Sequence, residues 1–449
     1  MTPPSAPSLA RKLRTLDYFT LGFGSMVGVG WLVLMDDWLA RGGPLGGMLG
    51  FAIGGVLLLP IGYVYARLVA AIPDASAEIA YTAKVFRPSV SFATGWMMFL
   101  AYLIVCPWEA VAIGRIAAYI VPGLNSIELY RVADRPVYLP HLAIGIGLTV
   151  IITLINYRGV RGSANFQNWT TFGLLALFLV FGSLGAAEGN SANWAPLFSH
   201  APLVSILLVL QIVPYFMTGF DAIAKCSEEA NPEFRADGFF RAIFAALLVG
   251  TAFYAAVIAL VAWVYPWQPL THERMAAAVA FERTFGSRAI VNLVLMAAVL
   301  SLMKVFNGNL LAASRLLFGL GRRGLVSPRF GAVHPLHQTP GPAVLLVGAL
   351  TAGLAFLGDA ILVPITEVGS LASAVGWLAA CSAFLVMEKD ARRQMIADAG
   401  IVVSLALIAM KLLPWVPGHF KKFEFVALGV WVLLGLVLRR SGEQAGERS

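Results

Sequence analysis

Apolar stretches of membrane-spanning length recur along this whole chain, and that recurrence leaves few folds open. They cover roughly residues 17–40, 44–72, 90–121, 141–156, 166–186, 203–225, 238–264, 287–318, 341–357, 360–387, 393–413 and 422–438. A helix crosses the hydrocarbon core in about 20 residues, and tilt lengthens that requirement. About twelve transmembrane helices are therefore expected, with 141–156 the shortest and its ends the least defined. Of the 449 residues, 59% are hydrophobic and only 12% are charged, about half the charged share of an ordinary soluble domain. A globule this apolar lacks the polar surface to face water. The fold class is all-α integral membrane.

The charges follow the same plan. Connections after even-numbered spans are basic, with Arg67, Lys84 and Arg87, then Arg158 and Arg161, Arg235 and Arg241, Arg322, Arg323 and Arg329, and Lys389, Arg392 and Arg393. Odd-numbered connections are poorer in cations or balance them with acids, as in "THERM" and "FERTFGSR". By the positive-inside rule both termini are cytoplasmic and the protein is multi-pass in the plasma (inner) membrane. The net charge of +8 is thus topological and does not point to nucleic acid. Residues 1–16 are expected to form a cytoplasmic tail, 17–387 a ten-helix core, 388–438 two further helices and 439–449 a second tail. The basic start leads into no apolar run with a cleavage site, so it is expected to be a tail rather than a signal peptide. The three cysteines, Cys106, Cys226 and Cys381, are scattered and form neither a disulfide framework nor a metal pattern. No metal or cofactor is expected. No nucleophile constellation lies in the spans, so the chain is not expected to be an enzyme.

Two spans have weakened backbones. "GSMVGVGWLVLMDDWLA" (Gly24 to Ala40) places Gly28 and Gly30 mid-span, with Asp36 and Asp37 one to two turns on. "QIVPYFMTGFDAIAKCSEEANPE" (Gln211 to Glu233) places Pro214 and Gly219 in the sixth span, with Asp221 after them. Backbone left unpaired in hydrocarbon is prohibitive unless protein or a water-filled cavity surrounds it. Interrupted segments at corresponding positions of two halves point to a transport site at the midplane. They imply a five-plus-five inverted repeat followed by two extra helices. Each break exposes free N–H groups at a half-helix start, an anion cradle. The alternative is that the glycines only permit close helix packing.

These segments resemble a known family. "MVGVGW" (Met26 to Trp31), "FMTGFDAIAKCSEEANPE" (Phe216 to Glu233), "NGNLLAASRLLFGLGRRGLVSP" (Asn307 to Pro328) and "NYRGVRGSANFQN" (Asn156 to Asn168) are similar to the first, sixth, eighth and fifth-span motifs of the amino acid–polyamine–organocation transporters. The resemblance touches most of the first ten spans. It implies a LeuT-type fold and secondary transport of amino acids or amines by alternating access. It further implies that the backbone at Val27, Gly28, Val29 and Gly30 holds a substrate carboxylate. Carbonyls around Phe216, Thr218 and Gly219 would take the amine, with Phe220 as an aromatic gate. The chain departs from the family at Val29, where a small polar residue is common, and at Ser76-Ala77, where Gly-Gly is common. Its fifth span also lacks the lysine that in several relatives stands where sodium binds. If an ion is coupled, a proton is expected rather than sodium.

Charged residues inside the spans carry the remaining expectations. Lys304, in "LSLMKVFNGN", could reach the missing cation's position from the eighth span. Glu109, in "CPWEAVAIGR", lies midway along the third and would serve as counter-ion for an amine or as proton acceptor. Both are expected to face a central cavity, paired or bridged by substrate; the alternative is a structural ion pair. Asp36 and Asp37 would attract cations or cap a helix near Arg41. Asp221 is expected to cap and gate; Glu367, inside the tenth span, either gates the outer side or hydrogen-bonds a neighbouring helix. "EEANPEFRADG" (Glu228 to Gly238) is expected to be a loop with capping acids. The substrate would be a small amino acid or organic amine, with lipid as surroundings. An ethanolamine- or polyamine-like permease or exchanger, or a non-transporting nutrient receptor, are the competing readings.

Overall fold

The computed structural model describes residues 8–446, with the side chains at 359–361, 363–364 and 440–446 outside that description. The ends of the two expected tails, 1–7 and 447–449, lie outside the described residues. The protein is an all-α membrane protein. Nine helices among the described residues are long and apolar enough to cross a bilayer. They include Met35–Ala71, Pro88–Ile120, Leu139–Arg158, Val160–Glu188, Asp237–Val264, Arg288–Arg322 and Ala391–Leu412. The fragmented sixth segment, the shorter Gly341–Ala355 and the last helix, Lys422–Gly446, occupy the remaining apolar stretches. The doubtful stretch 141–156 is a full helix, Leu139–Arg158.

The helices are stitched by turn chemistry. Met35–Ala71 is two helices joined at Gly43, whose φ of 63° and ψ of −177° reverse the chain before Pro44 starts the next span. A side chain could not follow that turn without strain. A hairpin of Glu128–Val132 and Arg135–Tyr138 interrupts the expected loop after the third span. We call its side of the molecule the hairpin face and the opposite side, where residues 8–14 pack, the tail face.

Lipid offers helices no hydrophobic reason to associate, so close packing and interhelical hydrogen bonds must hold the bundle. The first span packs against the seventh, fifth and eighth, and the second against the sixth and seventh. Small residues allow it: a Cβ on Gly54 would stand 2.6 Å from Val213 Cγ1, and one on Gly50 2.6 Å from Val209 Cβ. This packing leaves the middle of the first span at the centre of the molecule, where Val27, Val29 and Trp31 are fully buried.

Candidate functional site

Helix Thr15–Met26 stops at Val27, which is extended, and a short helix restarts at Gly30–Val33. The Gly28 N–H folds back to the Met26 carbonyl at 3.1 Å. Carbonyls released by the break find partners on neighbouring spans, as buried backbone must. The Tyr254 hydroxyl donates to Met26 O at 2.7 Å, and Asn309 Nδ2 to Ser25 O at 3.0 Å. The Ser301 hydroxyl is shared between Val27 O at 3.0 Å and Gly28 O at 2.9 Å. The Lys304 ammonium donates to Val27 O and, at 3.5 Å, approaches Gly24 O.

Glu109 approaches the same turn from the third span. Its carboxylate lies against the Val29 amide. Its Oε1 is 2.9 Å from where a Gly28 Cβ would stand, so glycine lets the carboxylate reach the backbone. Its Oε2 is buried without a hydrogen-bond partner. Glu109 and Lys304 sense each other's charge, yet the unwound backbone holds each of them. The structure therefore brings Val27, Gly28, Val29, Glu109 and Lys304 together around one turn.

The sixth span comes in three pieces, Pro202–Leu210, Val213–Met217 and Ala222–Lys225. Pro214 begins the middle piece rather than breaking it. The main break is at Thr218 and Gly219, whose φ of +140° favours glycine. Asp221 Oδ1 accepts the Gly219 N–H at 3.0 Å and so caps the break. A Cβ on Gly219 would stand 2.6 Å from Met26 N, so the two breaks touch. The Thr218 hydroxyl is engaged by Pro214 O and Ser373 Oγ, both at 2.6 Å. The Phe216 ring covers Gly30, whose added Cβ would be 2.5 Å from Phe216 Cε1, and meets Trp38 edge-on at 4.8 Å between centroids. Phe220 points to the tail side, against Tyr65 and Trp377.

A cavity of about 250 Å³ lies on the hairpin side of this turn, with Asp36, Asp37, Arg41, Trp108, Phe216 and Glu367 among its walls; Glu109 and the Val27–Gly30 backbone do not line it, and the Phe216 ring stands between it and Gly30. Phe216 lines it; Phe220 does not. Arg41 Nε donates to Asp37 Oδ2 at 2.7 Å and its guanidinium stands 3.8 Å from Glu367. Lys411 of the eleventh span pairs with Glu367. Asp36 Oδ1 is buried and unpartnered. Arg115, Arg135 and Arg274 border both this cavity and a larger one of about 540 Å³ beneath the hairpin.

The tail face is closed by ion pairs. Arg315 and Glu229 form a fully buried bidentate pair, with N–O distances of 2.8 and 3.2 Å. Arg322 bridges Asp74 and Glu228 at 2.7 and 2.9 Å, and Arg323 joins Asp74 at 2.9 Å. Two acids of "EEANPE", Glu228 and Glu229, are thus ion-pair partners of the eighth-span arginines as well as loop residues. Lys225 bridges Glu78 and Asp221. Sequence reasoning missed Lys225, Ser301 and Arg315. Lys225 had a signal, a lysine in an apolar run four residues after Asp221. The geometry is a buried, unwound turn holding one carboxylate and one ammonium, with a cavity on its hairpin side and a cluster of ion pairs toward the tail face.

A family model described as amino acid permease matches residues 13–437. The chain is 28% identical over 374 residues to a methylthioribose transporter of Bacillus subtilis, covering 82% of this chain and 79% of that protein. It is 26% identical over 452 residues to a branched-chain amino acid permease of the same organism, covering 96% and 92%. It is 27% identical over 379 residues to the mouse cationic amino acid transporter 4, covering 81% of this chain and 58% of that protein.

Proposed function

The chain belongs to the amino acid permease family, within the amino acid–polyamine–organocation superfamily, and from that premise we propose that it carries a small amino acid across the plasma membrane by alternating access, with both termini cytoplasmic. The observation that supports this most is Glu109. A buried carboxylate with one oxygen unpartnered, set against an unwound helix, is costly unless a cation visits it. The substrate ammonium takes that place at Glu109 Oε2, which is buried behind Phe216 in the wall of the hairpin-side cavity, so Phe216 must swing aside to admit it. The substrate carboxylate lies against the Gly28–Gly30 backbone. Phe216, over Gly30, is the aromatic gate in place of Phe220. Asp36, Asp37 and Glu367 with Arg41 form the outer charged rim. Thr218 and Gly219 shape the floor, and Asp221 belongs to the inner gate.

Lys304 supplies a tethered positive charge to the carbonyls of Gly24 and Val27. A fixed ammonium there removes the need for a bound sodium ion, so coupling to protons fits better.

The test is thermal stabilisation of the purified protein by amino acids, each compared with its decarboxylated amine. Stabilisation by the zwitterions supports an amino acid carrier. Stabilisation by amines alone overturns the carboxylate cradle and favours an amine permease, a reading that the acids of the rim support. Uptake into sealed vesicles then separates a carrier from a receptor.

A further inference from the structure

Just to the tail side of the two breaks lies a charge cluster that substrate binding leaves unused. Glu78 starts the short helix Glu78–Ala83 before the third span, outside Met35–Ala71 and Pro88–Ile120. Lys225 ends the inner piece of the sixth span. The Lys225 ammonium donates to Glu78 Oε1 at 2.5 Å and Asp221 Oδ2 at 2.6 Å, and all three side chains are fully buried. The Tyr65 hydroxyl donates to Glu78 Oε1 at 2.5 Å. Glu78 Oε2 is buried with no partner at all.

Two carboxylates share one ammonium, so the fully ionised triad carries one uncompensated negative charge. Its surroundings do not balance it. Tyr65 faces it from the second span, Tyr102 from the third and Tyr81 from Glu78's own helix. Cys226 follows Lys225, and Tyr18 of the first span donates to the Cys226 carbonyl. Arg315 of the eighth span is already neutralised by Glu229. An uncompensated charge in a sealed site is unfavourable. Burial raises the Glu78 carboxyl above its ordinary range, against the opposing pull of Lys225.

We infer that the Glu78–Lys225–Asp221 triad is a proton-binding site that latches the tail-side gate. It holds a proton on Glu78 Oε2 while sealed and gives it to water when the tail face opens. The inference rests on the alternating-access reading. The triad ties the lead-in of the third span to the inner end of the sixth, the pieces that must part for substrate to leave. A proton held more tightly by the sealed form favours that form. Acid pH therefore keeps the tail face shut, and rising pH lets it open.

Cys226 reports the event without any substrate, because it is buried beside Lys225. The full chain carrying Cys106→Ala and Cys381→Ala is alkylated with N-ethylmaleimide from about pH 5.5 to about pH 8, with and without Glu78→Gln. Dividing the two rates at each pH cancels the thiol's own ionisation. Glu78→Gln mimics the protonated triad and stays latched. The ratio of parent to variant should be near one in acid and rise about tenfold across the range, as one titrating group allows. A flat ratio overturns the proposal. If Glu78→Gln fails to fold, Tyr65→Phe removes a hydrogen bond to the carboxylate and should move the opening midpoint to higher pH. An unmoved midpoint overturns it equally. Neither outcome depends on which substrate stabilises the protein.

Discussion

The Lys304 ammonium donates to the Val27 carbonyl at the turn where the first span leaves its helix. A positive charge carried by the eighth span thereby holds open the backbone of the first. Lys304→Met keeps the apolar stem and removes the donor. A hydrogen bond from a charged group contributes about 1.5–3 kcal/mol, so uptake of the substrate identified by thermal shift should fall about 10–100-fold. Wild-type uptake should be the same in sodium and choline buffers. A strict sodium requirement in the wild type would sink the assignment of Lys304 as the resident cation.

Glu109 lies against that turn beside the Val29 amide, with Oε2 buried and bare. Glu109→Gln conserves shape and removes the charge. If the substrate ammonium docks there, affinity should drop by about 1.5–3 kcal/mol while the protein still elutes as a monodisperse peak. Retained uptake would show that the carboxylate is structural. Glu109→Asp, which shortens the reach, should fall between the two.

Most of the fold was legible because lipid imposes one rule: spans must be helical, apolar and about 20 residues long. The breaks were legible at Gly28, Gly30 and Gly219 because weak backbone recurs at corresponding places in the first and sixth spans with a carboxylate close by, whereas glycines such as Gly50 and Gly54 serve only packing. The third dimension was less so. Glu78 and Lys225 are 147 positions apart in sequence, and no local pattern announces their contact. The hairpin Glu128–Val132 and Arg135–Tyr138 is too short for period-two alternation to stand out. Phe216 and Phe220 are equally aromatic neighbours of one break. They lie on opposite sides of the turn at Thr218 and Gly219, and only the folded structure puts Phe216 in the cavity wall and Phe220 against Tyr65 and Trp377.

Asp74 gives the tail face a pH dependence of known sign. Burial alone would raise its carboxyl, but the Ser76 hydroxyl, Arg322, the Ser76 amide and Arg323 together hold it below the ordinary range. A lowered carboxyl stabilises the fold above its unfolded pKa, about 3.9, and loses that contribution as pH falls through its folded value. Asp74→Asn should therefore cost stability near neutral pH, by about 1 kcal/mol given partial exposure and screening. The deficit should close below about pH 4. Thermal unfolding of both proteins across that range checks it, and high salt should shrink the difference at pH 7.

Arg315 and Glu229 make the strongest test of the tail-side latch, because both are fully buried and nothing screens them. The eighth span supplies the guanidinium and the loop after the sixth supplies the carboxylate, so the pair joins two elements that the proposed alternating access would separate. Breaking a buried pair leaves an unpaired charge and costs about 3–5 kcal/mol. Arg315→Met should therefore lower the thermal midpoint sharply. Arg315→Met with Glu229→Leu removes both charges and should recover most of the loss, since a packed apolar pair is often no less stable than a buried ionic one. Restored stability with Cys226 alkylated faster than in the wild type would identify the pair as a gate. Restored stability with wild-type alkylation kinetics would reduce it to a structural bridge and place the whole latch on Glu78, Lys225 and Asp221.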